Sequence, residues 1–132
     1  PSSGRIVAGA WDREKKIFPG CAATMMRNPR SPAPVFQRNT TLGIIATNAE
    51  LTKAQAKRIA MMAHDGLART ISPIHTMFDG DTIFCASSGR ESADITAVGV
   101  MAAEVTARAV IKAVVGAEGR YGIPGYRDVT EK

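Results

Sequence analysis

The sequence predicts an α/β protein, and three observations carry that prediction. Two short β-branched runs lie at 41–47 and 82–86, a helical stretch between them opens with a capping box, and a longer apolar helical stretch covers 94–116. With 132 residues, 45% of them hydrophobic and 22% charged, the chain has room and material for one core.

Residues 1–39 and 40–132 differ in texture. The first part offers one short strand, Ile6 to Ala8, and a charged turn from Asp12 to Lys16. An irregular, mobile run containing Pro19, Gly20, Pro29, Pro32 and Pro34 follows. Each proline lacks a backbone donor and restricts its predecessor, so this run is expected to hold neither a helix nor a central strand.

From Thr40 the chain reads TTLGIIATNA, which predicts a buried strand at 41–47 ending in the turn signal Asn48-Ala49. In Leu51-Thr52-Lys53-Ala54-Gln55, Thr52 as N-cap and Gln55 three residues later form a capping box, with Leu51 as the staple. A helix is predicted from 53 to 71, its inner face formed by Ala56, Ala60, Ala63 and Leu67 and widened by Ile59, Met61 and Met62. After Pro73, Asp79-Gly80-Asp81 makes a tight turn into a second strand, Thr82 to Ala86. The helix over 94–116 confines its polar side chains mainly to Glu104, Arg108 and Lys112, one narrow stripe, and so should be covered on more than one side. A loop tail follows from Gly116. Three short strands and two helices, one of them very apolar, read as part of a larger assembly.

Charge and cysteine usage narrow the function classes. The formal charge of +5 lies wholly in residues 1–39, which carry seven basic and two acidic side chains, whereas residues 40–132 balance at ten of each. Aromatics make up only 5% of the chain and do not interleave with those basic residues, so a stacking platform for nucleic acid is not expected. No apolar run approaches the ~20 residues of a membrane span, and PSSGRIVAGAW lacks the charged and apolar regions of a signal peptide. A cytoplasmic protein is expected. Cys21 and Cys85 form neither a CxxC clip nor a disulfide framework and read as reduced, Cys85 as a core thiol. Together with His64 and His75 they make no zinc pattern, and both histidines read as structural or surface residues. No metal or cofactor is expected.

The sharpest feature is Arg38-Asn39-Thr40-Thr41-Leu42-Gly43, where the proline-rich run meets the strand at an Asn-Thr bond. Read from the residues alone, Asn39 and Thr40 fit an ordinary strand entrance as well as a reactive bond. Asp79-Gly80-Asp81 likewise fits a plain turn, or a calcium ligand pair that lacks the remaining EF-hand pattern. A threonine hydroxyl is a poor nucleophile without a base, and a free α-amine, with an unperturbed pKa of ~7.7–8, is a suitable one near neutral pH. Cleavage between Asn39 and Thr40 would place that amine beside the hydroxyl.

NTTLGIIATNAELTKAQAKRIAMMAHDGLAR followed by HTMFDGDTIF resembles the nucleophile-bearing part of the self-processing N-terminal-nucleophile hydrolases related to the L-aminopeptidase/D-esterase family. That group includes β-peptidyl aminopeptidases, a pantetheine hydrolase and the nylon-oligomer hydrolase. The resemblance is densest over 39–87, looser along 94–116 and weak before 30. It implies an αββα-type sandwich, to which this chain supplies the nucleophile strand, a neighbouring strand and two helices. It implies autocleavage between Asn39 and Thr40, with 1–39 the end of the precursor α segment and 40–132 the β segment. Thr40 is then the nucleophile, and Asp79 and Asp81, about forty positions later, orient its amine. The aminopeptidase branch typically has Ser, Ser and Glu at these places, so Thr40, Asp79 and Asp81 favour the amidase side, acting on small linear amides or peptides. The resemblance also implies a preceding α segment as partner, supplying the oxyanion-hole asparagine and most of the pocket, and the largely apolar helix over 94–116 suggests a homo-oligomer of α/β units. An oxyanion donor is worth ~2.7–4 kcal/mol in a typical hydrolase, so the chain without that segment should be nearly inactive. The alternative expectation, from another class, is a non-catalytic binding or structural remnant using the basic 1–39 arm.

Overall fold

A strand beginning at Leu42 and one beginning at Thr82 lie side by side because the chain between them makes a helical crossover, the connection that parallel pairing requires. The computed structural model describes residues 6–29, 40–122 and 124–130. Its elements are α1 (Cys21–Arg27), β1 (Leu42–Ala49), α2 (Lys53–Ala68), β2 (Thr82–Glu91), α3 (Ile95–Gly116) and α4 (Tyr126–Thr130). The fold is mixed α/β, and the chain divides into two compact units, residues 34–108 and residues 1–33 with 109–132.

In the unit spanning 34–108, β1 and β2 pair in parallel from Leu42↔Thr82 to Thr47↔Ser87, followed by a register shift that sets Ala49 opposite Glu91. Side chains alternate along β1, so 43, 45, 47 and 49 turn inward and the even positions outward. Ile83 and Ala49 are buried, and Gly43 lies close to the Ile83 side chain. Helix α2 packs on this sheet, with Ile59, Ala63 and Leu67 buried. The opposite face, formed by Leu42, Ile44 and Phe84, is exposed.

The capping box is present: the Gln55 N–H donates to Thr52 Oγ1 at 3.3 Å, and the Thr52 N–H donates to Gln55 Oε1 at 2.8 Å. The buried stripe of α2 is Ile59, Ala63, Gly66 and Leu67: Ile59, Ala63 and Leu67 lie on the expected apolar face, Gly66 joins it, Ala56 and Ala60 are only half-buried, and Met61 is exposed. Gly66 is there for close approach, since a Cβ at this position would collide with the Ala103 carbonyl oxygen of α3 and lie 2.7 Å from Thr106 Cβ. On α3, Val98, Gly99, Ala102 and Ala103 are buried, while Val100, Met101 and Val105 are exposed. No described helix is long and apolar enough to cross a membrane.

Several boundaries differ from expectation for identifiable reasons. β1 continues through Asn48 to Ala49 because β2 runs on to Glu91 and keeps pairing. Ser87 Oγ donates to the Ala49 carbonyl, and the Glu50 N–H donates to the Glu91 carbonyl at 2.7 Å. Helix α2 stops at Ala68, short of 71, where the Thr70 hydroxyl takes the Gly66 and Leu67 carbonyls and Pro73 follows close behind.

In the other unit, Asp12 and Ile17 form an antiparallel bridge around the expected turn, and Asp12 Oδ1 accepts the Glu14 and Lys15 N–H groups at 3.0 and 2.9 Å. Trp11 and Phe18 meet edge to face with centroids 4.9 Å apart. Ile6 to Ala8 is not a strand, having no strand partner among the described residues. The expected loop contains α1, because 20–28 is free of proline and the helix fits between Pro19 and Pro29. Gly20, at φ 80°, enters it, and the Thr24 hydroxyl donates to the Gly20 carbonyl at 3.0 Å. Residues 30–39, with Pro32 and Pro34, lie outside the described residues. The tail holds a short helix, α4, whose Asp128 accepts the Gly125 N–H at 2.8 Å.

Candidate active site

The register Leu42↔Thr82 puts the entrance of β1 beside the turn that delivers β2. Two bonds fix the juxtaposition: the Thr82 N–H donates to the Thr41 carbonyl at 2.9 Å, and the Thr41 N–H donates to Asp81 Oδ1 at 2.9 Å. Thr40, one residue before, then lies over Gly80. A Cβ on Gly80 would stand 3.1 Å from Thr40 Oγ1, so the missing side chain leaves room for the hydroxyl. Thr40 is exposed. Its hydroxyl therefore sits at a strand mouth, open to an incoming molecule and adjacent to a carboxylate-bearing turn.

The two aspartates of that turn do different things. Asp79 closes its own loop: Oδ2 accepts the Thr76 N–H at 2.7 Å, and the Asp79 N–H donates to the Thr76 carbonyl at 3.1 Å. Asp81 has a side chain only 4% exposed and faces β1 through Oδ1. Burial, the largest single influence, pushes its carboxyl pKa up. The hydrogen bonds from the Thr41 backbone and hydroxyl and from His75, with the attraction of the His75 ring, outweigh it and hold the group below the usual carboxylate range. Asp81 is thus a buried anion. Among the described residues the two carboxylates accept hydrogen bonds from the Thr41 and Thr76 N–H groups and Asp81 Oδ2 lies against the His75 ring, whereas Thr40 meets the turn through Gly80. Asn39 lies outside the described residues.

Reading the sequence missed His75. Its Nδ1 stands 2.9 Å from Asp81 Oδ2, a short but bent contact that leaves Oδ2 without a well-directed donor. Its Nε2 lies 3.4 Å from His64 Nδ1 of α2, the ring centroids being 4.9 Å apart. Thus His64, His75, Asp81 and Thr41 form one chain of contacts running from a helix to the strand mouth. The only signal in the sequence is a histidine two residues after Pro73, in a loop that leads into the acidic turn. Among the described residues no group of three or more His, Cys, Asp or Glu could hold a metal ion. Cys85 lies mid-strand, and burial pushes its thiol up, away from the reactive thiolate form.

A family model described as peptidase family S58 matches residues 4–127. The chain belongs to peptidase family S58. This bears out the resemblance to the aminopeptidase and nylon-oligomer hydrolase group. The family S58 chain is 46% identical to a Mycobacterium bovis protein named an uncharacterized aminopeptidase, over 75% of this chain and 34% of that one. It is 33% identical to a 6-aminohexanoate-oligomer endohydrolase of a Kocuria species, over 84% of this chain and 36% of that one. A protein of the same name from Paenarthrobacter ureafaciens is 35% identical, over 84% and 36%. The chain spans about a third of the length of the curated relatives it matches.

Proposed function

We propose that this chain carries the nucleophile of a self-processing amide hydrolase that is cut between Asn39 and Thr40 and acts on small linear amides or peptides. The observation that supports it most is the seating of the Thr40 hydroxyl over Gly80, while Asp81 clamps the next peptide N–H. In the processing step, Thr40 Oγ1 attacks the Asn39 carbonyl carbon and the peptide nitrogen departs as the Thr40 amine, leaving an ester. Water then hydrolyses that ester, releasing the Asn39 carboxylate and restoring the hydroxyl. In turnover the free α-amine takes the proton as Oγ1 attacks a substrate carbonyl and passes it to the departing amine. The resulting acyl-enzyme is hydrolysed by water.

On this reading Asp81 orients the nucleophile through the Thr41 N–H, and Asp79 shapes the turn that presents Gly80. The remainder of the polypeptide, as the preceding α segment, covers the Leu42, Ile44 and Phe84 face and completes the αββα sandwich. A parallel sheet is ordinarily covered on both faces, which supports this. It also supplies the oxyanion donor and pocket, and copies of the whole unit assemble in the cytoplasm, with exposed Val100, Met101 and Val105 of α3 available for contact.

The test is the intact mass of the full-length protein under denaturing conditions, with N-terminal sequencing of every species, for wild type and Thr40→Ala. Wild type is expected to yield a fragment beginning Thr40-Thr41-Leu42 and the variant none. A wild type that stays uncut for days under native conditions overturns the proposal and leaves binding through the basic arm as the better reading.

A further inference from the structure

We propose that His75 is a positioning residue for Asp81: it holds Oδ2 while Oδ1 holds the Thr41 N–H, with His64 behind it fixing the ring. This inference rests on the reading of Thr40 as nucleophile.

A carboxylate that clamps a backbone N–H through one oxygen can still swing about its Cβ–Cγ bond unless the second oxygen is held. The Asp81 side chain is 4% exposed, so water gives Oδ2 little help, and the ring nitrogen that reaches it is His75 Nδ1 at 2.9 Å. Contact at Nδ1 leaves Nε2 facing His64 Nδ1 at 3.4 Å. In the neutral pair, His75 carries its proton on Nδ1, toward Asp81, and Nε2 accepts the His64 Nδ1 proton. This is the arrangement by which a second partner selects a histidine tautomer. His64 projects from α2, so the line of contacts starts on a rigid element.

The backbone points the same way. His75 has φ 56°, in the left-handed region. For a residue with a Cβ that conformation costs on the order of 1–2 kcal/mol, and it persists where the surroundings hold it. Here it lets one ring meet both Asp81 and His64 from a loop. The consequence is geometric: with Asp81 Oδ1 bonded to the Thr41 N–H and Oδ2 packed against the His75 ring, the carboxylate cannot swing away, and Oγ1 keeps its place over Gly80.

The experiment times self-cleavage of the full-length protein made by cell-free synthesis, reading the first-order appearance of a Thr40 N-terminus in wild type, Thr40→Ala, His75→Gly and His75→Asn. Glycine tolerates the left-handed backbone but has no side-chain donor. Asparagine tolerates it and carries an amide N–H near the place of Nδ1, so the pair separates backbone strain from the contact to Asp81. Misplacement by about 1 Å can cost on the order of 100-fold in rate. We expect His75→Gly to slow cleavage by about 10- to 100-fold and His75→Asn to recover it to within about threefold of wild type. If Thr40→Ala cleaves like wild type, the nucleophile reading fails and takes this proposal with it. If Thr40→Ala is uncut but His75→Gly keeps the wild-type rate, or His75→Asn is no faster than His75→Gly, the positioning role alone is overturned.

Discussion

Replacing Asp81 tests the joint between the two strands more directly than any other change. In Asp81→Ala the Thr41 N–H loses an acceptor at 2.9 Å, and His75 Nδ1 loses its partner at the same distance, in a place where the carboxylate is 4% exposed. A hydrogen bond to a charged group contributes about 1.5–3 kcal/mol, so Asp81→Ala should lower stability by about that much. Asp81→Asn keeps an oxygen for Thr41 and turns an N–H toward His75 Nδ1, which accepts it once the ring proton moves to Nε2 and His64 Nδ1 becomes the acceptor of that proton. It loses only the charge, and about 1 kcal/mol is expected. The pH dependence follows from the lowered carboxyl pKa. A carboxyl held below its ordinary value of 3.8 in the folded state stabilises the fold fully above that value and loses this contribution as pH falls through the folded-state pKa. The gap between wild type and Asp81→Asn should therefore close progressively as pH falls below 3.8. Urea denaturation of the full-length protein at a series of pH values measures both quantities. An Asp81→Ala variant within about 0.5 kcal/mol of wild type at neutral pH, or a gap to Asp81→Asn that does not change with acid, would refute the reasoning.

Two further substitutions probe close approach. Gly66→Ala drives a Cβ into the Ala103 carbonyl and to within 2.7 Å of Thr106 Cβ, so α2 and α3 must separate; a loss of about 1–3 kcal/mol is expected by denaturation, and an unchanged midpoint would contradict the packing. Gly80→Ala puts a methyl 3.1 Å from Thr40 Oγ1 at a half-open strand mouth. It should leave stability within about 1 kcal/mol of wild type and slow self-cleavage by about tenfold or more, and a wild-type cleavage rate would show that the hydroxyl does not need that seat.

What the sequence determined by itself was local. The Thr52–Gln55 capping box formed as its spacing demanded, because both partners lie within one turn, and the starts of β1, β2 and α3 fell within one residue of expectation. The strand ends did not, since pairing beyond Thr47 depends on the register shift toward Glu91 and on Ser87 reaching the Ala49 carbonyl. The short helices α1 and α4 were hidden by neighbouring prolines and glycines that flank them without entering them. Thr40, Asp79 and Asp81 were visible as a pattern only through family likeness, and their division of labour was not visible at all. Tertiary structure decided that the Asp81 carboxylate goes to Thr41, that Gly80 lies under Thr40, and that His64 and His75 join them. These contacts link residues about forty positions apart, or a helix to a loop. They follow from the parallel register and the crossover, and no periodicity in the chain encodes them.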